Sequence, residues 1–236
     1  MRLIKTYTMS LKPPLIVTFL LLIFQQSFSQ QRFEEYNFLG VSGGYVQFDI
    51  ITDNFVTEQS SGFIGGFTTR GSVYNSLDLI YGVDFFNTDV GILGRDLASP
   101  ANNFKEQFVD YTLQSVQIKL LASMNFIRHS LTLEAGPILN VNGRMKLKRS
   151  GFEDFTLDGF DNLKASDIEN VSRVNLRVTG GLSTGIRNFR LGAHYQYGVT
   201  NLFNRFNDNE NIEQPKDGSE FDGHTSTLVF SAVIYF

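Results

Sequence analysis

The chain contains no cysteine and no tryptophan, and only 5 of its 236 residues are proline. Without cysteine, a disulfide framework, an iron–sulfur cluster, a thiolate zinc site, a cysteine nucleophile and an N-terminal lipoprotein anchor are all excluded. The formal net charge of -4 argues against a general nucleic-acid binder. A mean hydropathy of -0.09 excludes a bundle of membrane-spanning helices. We predict no cofactor and no metal.

The N-terminus has the pattern of a cleaved signal peptide. Arg2, Lys5 and Lys12 precede an uncharged apolar run at residues 15–24, and small residues follow at Ser27 and Ser29. A membrane anchor is the alternative, but a spanning helix needs about 20 apolar residues and this run is half that length. We therefore predict a signal peptide over residues 1–29 and one mature domain over residues 30–236, with a net charge of -7.

The mature chain shows period-two alternation, which is typical of β-strands. Between residues 77 and 85, for example, Leu77, Leu79 and Tyr81 alternate with Asp78 and Gly82. Clear alternation of this kind covers residues 77–85, 115–126, 131–141, 173–186, 190–200 and 226–236, with weaker patterns at 37–50 and 61–70. The sequence therefore predicts eight strands.

The lengths of the segments and of their connections favour a membrane barrel over a soluble sandwich. Segments of about 10–14 residues match tilted membrane-crossing strands and exceed the usual ~5–6 of soluble strands. Short connections, around 71–75, 127–129 and 187–189, alternate with long ones, around 51–60, 91–110, 143–171 and 203–224. We predict an all-β fold, an eight-stranded antiparallel up-and-down transmembrane β-barrel in the outer membrane of a Gram-negative bacterium. The terminal Phe236 resembles the signal that the outer-membrane insertion machinery reads.

Eight strands leave just enough interior for side chains to fill. Charges on the polar faces must be paired if they are buried there. The predicted lumenal ion-pair network contains Arg70, Asp78, Asp84, Lys119, Glu134, Arg173, Arg177 and Arg190. In this prediction Asp84 lies beside the strand of Lys119, and Glu134 lies between the strands of Lys119 and Arg177. We expect no continuous channel through the barrel.

Five short pieces resemble the PorT-like outer-membrane β-barrel family of Bacteroidota. They are LQSVQIKLLASM at 113–124, AGP at 135–137, TGGLS at 179–183, YQYGVTNL at 195–202 and the final YF. The resemblance implies an outer-membrane barrel, and PorT itself is linked to type IX secretion and gliding. Lys119 stands where the family usually has proline. Because proline removes a ladder donor, we also predict a β-bulge near Gly136 and Pro137.

Candidate chemistry is sparse, and we predict a non-enzymatic protein. His224 and Ser226, with Asp222 or Glu220 as the carboxylate, resemble the His-x-Ser arrangement of small outer-membrane lipid A esterases, but the surrounding residues do not match that motif. His129 and His194 fit a turn and the polar filling of the lumen. The acidic loop 203–224 is expected to be solvated, with calcium binding as the alternative.

The predicted function is that of a structural or interaction module that acts through its outer loops or a partner complex. Expected partners are outer-membrane lipid, lipopolysaccharide and a protein of the cell envelope. The basic run 144–149 is a candidate contact for lipopolysaccharide phosphates. The alternatives are a secreted, soluble, lipocalin-like binder of an apolar ligand, which requires apolar residues inside the barrel and charges outside, and the lipid A esterase.

Overall fold

The computed structural model describes residues 35–74, 76–96, 106–127 and 130–236. The predicted signal peptide and His129 lie outside the described residues. The strands are β1 (Asn37–Ile51), β2 (Thr57–Glu58), β3 (Ser60–Tyr74), β4 (Leu77–Arg95), β5 (Glu106–Ile127), β6 (Leu131–Leu147), β7 (Thr156–Leu157), β8 (Val174–Gly185), β9 (Phe189–Gly198) and β10 (His224–Tyr235). A short helix, α1, spans Asn204–Asn207. No helix in the described ranges is long and apolar enough to cross a membrane.

Eight of the ten strands form a closed antiparallel ring in the order β1, β3, β4, β5, β6, β8, β9 and β10. The ring closes where β10 pairs with β1, from Gly40 opposite Tyr235 to Ile51 opposite His224. The short strands β2 and β7 both add to β4. Because each ring strand has a partner on both sides, the barrel has no free sheet edge. The predicted eight-stranded up-and-down barrel is confirmed.

The connections alternate in length as predicted. Connections of only two or three residues join β3 to β4, β5 to β6 and β8 to β9 at one end, which we call the turn end. At the opposite end, the loop end, four long connections lie at 52–59, 96–105, 148–173 and 199–223, and we call them loops 1 to 4. The N-terminal residue of β1 and the C-terminal residue of β10 both lie at the turn end.

Strands β4 and β5 continue well past the predicted end of their alternation. They pair without interruption from Leu77 opposite Met124 to Arg95 opposite Glu106, so half of the loop predicted at 91–110 is strand. The inward side chains of this extension, such as Val90 and Val109, are fully buried. Burial against the loops therefore stabilises a hairpin that the interrupting Gly91 and Gly94 hide in the sequence.

The outward face of the ring is apolar and the inward face at the turn end is polar. Phe63 and Phe85 are 62% and 60% exposed, whereas Asp78 and Glu134 are 3% and 4% exposed. Apolar side chains that line the exterior include Leu39, Val41, Tyr45, Phe67, Leu79, Tyr81, Val83, Ile118, Leu120, Leu133, Leu139, Leu176, Val178, Leu182, Leu191, Tyr195, Phe230 and Ile234. A soluble lipocalin-like protein would require the opposite arrangement, and this exterior suits hydrocarbon instead.

The β-bulge predicted near Gly136 and Pro137 is not present. The register between β5 and β6 is the same on both sides of this pair, with Lys119 opposite Ile138 and Ala122 opposite Ala135. A Cβ added at Gly136 would lie only 2.1 Å from the carbonyl oxygen of Leu120, so the strands approach closely there. Pro137 is accommodated by the loss of local pairing rather than by an extra residue.

Loops 1, 3 and 4 fold back over the loop end as an apolar cap. Loop 4 is therefore only partly solvated: its acidic side chains are exposed, apart from the partly buried Glu213, while its apolar side chains are buried in the cap. The cap consists of Phe55 from loop 1, Phe155, Leu157, Phe160, Leu163, Ala165, Ile168 and Val171 from loop 3, and Leu202, Phe203, Phe206, Ile212 and Phe221 from loop 4. Phe221 lies at its centre, with its ring 5.7 Å from those of Phe55, Phe160 and Phe206. The cap continues into the barrel through Val46, Phe48, Phe86 and Leu113.

Candidate functional site

The lumen at the turn end contains a buried ion-pair cluster centred on Glu134 of β6. The Arg70 guanidinium of β3 lies 2.8 Å from Asp78 Oδ2 through Nε and 3.2 Å from Glu134 Oε1 through Nη1. Arg70 Nη2 also donates to Ser123 Oγ at 2.7 Å. Because β3 and β6 are not neighbours in the ring, Arg70 joins opposite walls across the interior. The Arg70 side chain therefore links β3 to β4, β5 and β6.

Histidine and hydroxyl groups complete the surroundings of Glu134. His194 Nε2 of β9 lies 2.8 Å from Glu134 Oε2, and Ser183 Oγ donates to Oε1 at 2.5 Å. Arg190 donates to Ser183 Oγ from Nε at 3.2 Å and to Thr132 Oγ1 from Nη2 at 3.1 Å. Both hydroxyls in turn donate to Glu134. A carboxylate with this many donors is held in its charged form without solvent. Thr132 and Ser183 are an even number of residues from the predicted charges on their strands, so they face the same side. This spacing is the sequence signal for them.

A second ion pair lies further into the barrel. Lys119 Nζ of β5 is 2.8 Å from Asp84 Oδ2 of the neighbouring β4, and Ser42 Oγ of β1 donates to Asp84 Oδ1 at 2.9 Å. The sequence prediction placed Glu134 beside Lys119 and Arg177, but the structure pairs Glu134 with Arg70 and His194. The order of neighbouring strands is enough to predict the pair of Asp84 and Lys119. It does not predict the pair of Arg70 and Glu134, whose long side chains meet across the lumen.

Arg177 is buried in the lumen but belongs to no ion pair among the described residues, contrary to the predicted network. Its guanidinium carbon lies 5.2 Å from the ring centre of Phe86 and 5.9 Å from that of Phe48. Its nearest polar contact is Gln196 Oε1 at 3.5 Å from Nη1, and Nε and Nη2 have no hydrogen-bond partner. Arg177 therefore stands at the boundary between the charged cluster and the apolar cap, held by aromatic faces.

Arg173 is also a correction, since it lies outside the lumen. β8 begins one residue later, at Val174, and the Arg173 side chain is exposed. The Arg173 carbonyl accepts a hydrogen bond from the Asn142 backbone N–H of β6 at 2.7 Å. Strand parity does not extend past the end of a strand, so the sequence pattern misplaced this side chain.

A cavity of about 70 Å³ remains among the charged groups, lined by Asp84, Lys119, Glu134, His194 and Gln196 among others. At about 10–15 Å³ per molecule it has room for a few waters. Above it, Phe48, Phe86 and the cap fill the barrel. The charged lumen is thus a packed polar core beneath an apolar seal.

The weak catalytic candidates do not form a relay. His224 Nδ1 lies 2.8 Å from the Gly198 carbonyl oxygen, and its ring stacks on Tyr197. Asp222 Oδ1 lies 3.4 Å from His224 Nε2, the nitrogen that a serine relay would turn towards the nucleophile. Ser226 Oγ instead contacts the Tyr195 hydroxyl at 3.0 Å. Among the described residues, no group of His, Asp and Glu has the arrangement of a metal site, and this includes loop 4.

No protein-family model matches the chain, and no curated protein matches it. Solved structures similar to it are small barrels. Neisserial surface protein A is 13% identical over 84% of this chain and 97% of its own, with a TM-score of 0.47. The Ail protein of Yersinia pestis is 16% identical over 86% and 100%, with a TM-score of 0.44. OprG of Pseudomonas aeruginosa is 10% identical over 86% and 97%, with a TM-score of 0.45.

The class of this protein follows from its own barrel. A closed ring with an apolar exterior and a polar interior is the form in which β-strands cross a bilayer, because every strand is paired and only apolar side chains meet lipid. The chain is a small outer-membrane β-barrel of a Gram-negative bacterium, with short turns at one end and long loops at the other.

Proposed function

We propose that this protein is a non-enzymatic interaction module of the outer membrane, which acts through the folded surface of loops 3 and 4 rather than by transport. The observation that supports it is the apolar cap. Loop residues form a buried core that continues into the barrel, so the loops form a structured outer surface and the lumen is sealed. The Tyr111 hydroxyl of β5 donates to the Ala165 carbonyl of loop 3 at 2.9 Å, which fixes the cap to the wall.

In this proposal the loop end faces outward and the turn end faces the periplasm, as is usual for such barrels. The PorT-like resemblance and its Bacteroidota source remain part of the proposal. A link to type IX secretion depends on that resemblance alone, and no comparison supports it. The partners we propose are lipid, lipopolysaccharide and an envelope protein that contacts the loop surface.

The first test is electrical. We expect the purified mature protein to show no stable conductance in a planar bilayer, because the cap closes the lumen. The control is Phe221→Ser, which places a polar hydroxyl at the centre of the cap and should produce flickering currents. A large and stable conductance of the unaltered protein would contradict the proposal.

The second test concerns orientation and uses the absence of cysteine. Glu210→Cys, on exposed loop 4, should react with a membrane-impermeant maleimide on intact cells, whereas Asn188→Cys, at the turn end, should react only after the outer membrane is opened. The reverse result would overturn the orientation.

Exchange of Ser226 for alanine should leave lipid A acylation unchanged, and a change would favour the esterase.

A further inference from the structure

A β-bulge near the outer end of β6 presents an arginine to the membrane surface. Leu113 lies opposite Met145 and Ser115 opposite Asn142, so Gly143 and Arg144 together face the single residue Gln114. Met145 and Asn142 are buried, whereas Gly143 and Arg144 are both exposed. The extra residue therefore turns Arg144 to the outside, although strict alternation would have placed it in the lumen.

A second arginine lies on the other side of β6 at the same height. Arg173 precedes β8, and its carbonyl oxygen bonds to the backbone N–H of Asn142, two residues before Arg144. Both arginines are exposed, and within the part of the chain that the structure describes neither has an ion-pair partner. They lie directly above Val141 and Val174, which are 43% and 60% exposed and mark the upper limit of the apolar exterior there.

Next to the bulge, the exterior has a groove of about 480 Å³. Its outward-facing walls are Phe63, Phe85, Val116 and Val141, which belong to four neighbouring strands. Its upper edge is polar, with Asn87 and Gln114 joined by a 3.1 Å hydrogen bond. Ser115 and Asn142 also line the groove, one residue above Val116 and Val141. A groove with apolar walls below and polar groups above has the polarity of a lipid molecule at the membrane interface.

The other charges of this surface leave the two arginines available. Lys148 lies 2.7 Å from Asp89 Oδ2, and Asp89 also accepts a hydrogen bond from Thr112 at 2.6 Å. Arg149 stacks on the Phe152 ring at 6.0 Å. Lys146 is exposed on the same strand. The other acidic side chains at this end of β6 are Asp110 of β5 and Glu169 of loop 3, and Glu169 Oε1 accepts a hydrogen bond from the Leu147 backbone N–H at 3.4 Å. The surface therefore has a net positive charge immediately above the apolar groove.

We infer that this surface binds one phosphorylated lipid of the outer leaflet, with acyl chain in the groove of Phe63, Phe85, Val116 and Val141 and phosphate at Arg144 and Arg173. Lipid A is the phosphorylated lipid of that leaflet, and guanidinium groups match phosphate oxygens in pairs. The inference depends on the proposed orientation, which exposes the loop end to the outer leaflet. The bulge then has a role, since it supplies the arginine closest to the groove.

The test uses the full mature protein, refolded in detergent, and diphosphorylated lipid A as the probe. Native mass spectrometry counts the lipid retained by the unaltered protein, by the double variant Arg144→Gln and Arg173→Gln, and by the matched control Arg205→Gln in loop 4. We expect the double variant to lose about tenfold in apparent affinity, and the control to bind like the unaltered protein. Lysine at both positions should restore part of the binding, because the charge returns without the paired geometry.

Several outcomes overturn the inference. One is equal retention of lipid A by all the variants, and another is equal binding of lipid A from which both phosphates have been removed. Binding of inorganic phosphate with the same arginine dependence, but without lipid, would assign the site to free phosphate instead. If the barrel folds and labels in the proposed orientation while lipid A binding fails, only this inference falls. If the labelling pattern is reversed, the proposed function falls with it.

Discussion

Arg70 and Arg177 are both buried arginines of the lumen, yet their surroundings differ. Arg70 holds two carboxylates, Asp78 and Glu134, whereas Arg177 has aromatic rings on its faces and two nitrogens without partners. Removal of one member of a buried ion pair strands the other charge in a medium that cannot hydrate it. An unpaired buried charge, by contrast, has already lost its hydration without full compensation.

We therefore predict opposite effects for the same substitution at these two positions. Arg70→Met should lower the free energy of unfolding by about 3–5 kcal/mol, because Asp78 and Glu134 lose their counter-charge. Arg177→Met should leave it unchanged or raise it by about 1–4 kcal/mol, since methionine packs against Phe48 and Phe86 without a buried charge. Urea unfolding in lipid vesicles, followed by circular dichroism, measures both. Equal destabilisation would show that Arg177 has a stabilising partner in solution.

At the scale of the elements, the curvature of the strands depends on inward glycines at close approaches. In β8, a Cβ added at Gly181 would lie 2.3 Å from the Ala193 carbonyl oxygen of β9, whereas a Cβ added at the outward-facing Gly180 would meet no atom within 4 Å. Small barrels require such positions to bend the sheet. The close approach of β8 and β9 therefore requires glycine at position 181 but not at position 180.

We expect Gly181→Ala to reduce the folded fraction in lipid vesicles strongly and Gly180→Ala to leave it unchanged. The reason is the clash with the β9 backbone, which cannot move without a shift of the ladder. The folded fraction can be read from the mobility of unheated protein on a gel. Tolerance of both alanines would mean that the two strands lie further apart than the structure indicates.

Loops 3 and 4 are joined at their surface by an ion pair, in which Lys216 Nζ lies 2.8 Å from Asp161 Oδ1. Hydrogen bonding and the nearby charge of Lys216 lower the pKa of Asp161. A carboxylate with a lowered folded pKa contributes stability above its unfolded pKa and loses that contribution as the pH falls through the folded pKa. We predict that the loops become more sensitive to an acid-active protease only below the ordinary Asp pKa of about 3.9. Asp161→Asn should reduce this pH dependence, and an unchanged pH profile would exclude the ion pair as its cause.

At the scale of the whole molecule, alternation and connection lengths were enough to predict the ring, its exterior and its order of turns and loops. They did not predict the apolar cap, because Phe160, Phe203, Phe206 and Phe221 lie in loops where no period links them. Their number in segments otherwise rich in charge was the available signal. Contacts across the lumen, such as Arg70 with Glu134, were also out of reach, since the sequence pattern orders neighbours and not opposite walls.

Phe236 bears on how the whole molecule reaches the membrane. It is 69% exposed at the turn end, and its backbone N–H donates to the Leu39 carbonyl oxygen at 2.8 Å. We predict that Phe236→Ala lowers the amount of protein in the outer membrane after a short pulse of synthesis. The matched control is Phe126→Ala, an aromatic residue 61% exposed at the same end. An equal loss for both would reduce Phe236 to an ordinary lipid contact.

The dual use of loops 3 and 4 has a consequence for anyone who would display a peptide on this barrel. An insertion beside Phe160 or Phe221 would disrupt the apolar cap and open the lumen as well as change the outer surface. Gly218, with φ of 77° and open space around it, lies at the tip of loop 4 and is the natural place for a foreign epitope. Sequence changes are tolerated only at such outward tips, because the loop residues beneath them form the apolar cap that closes the lumen.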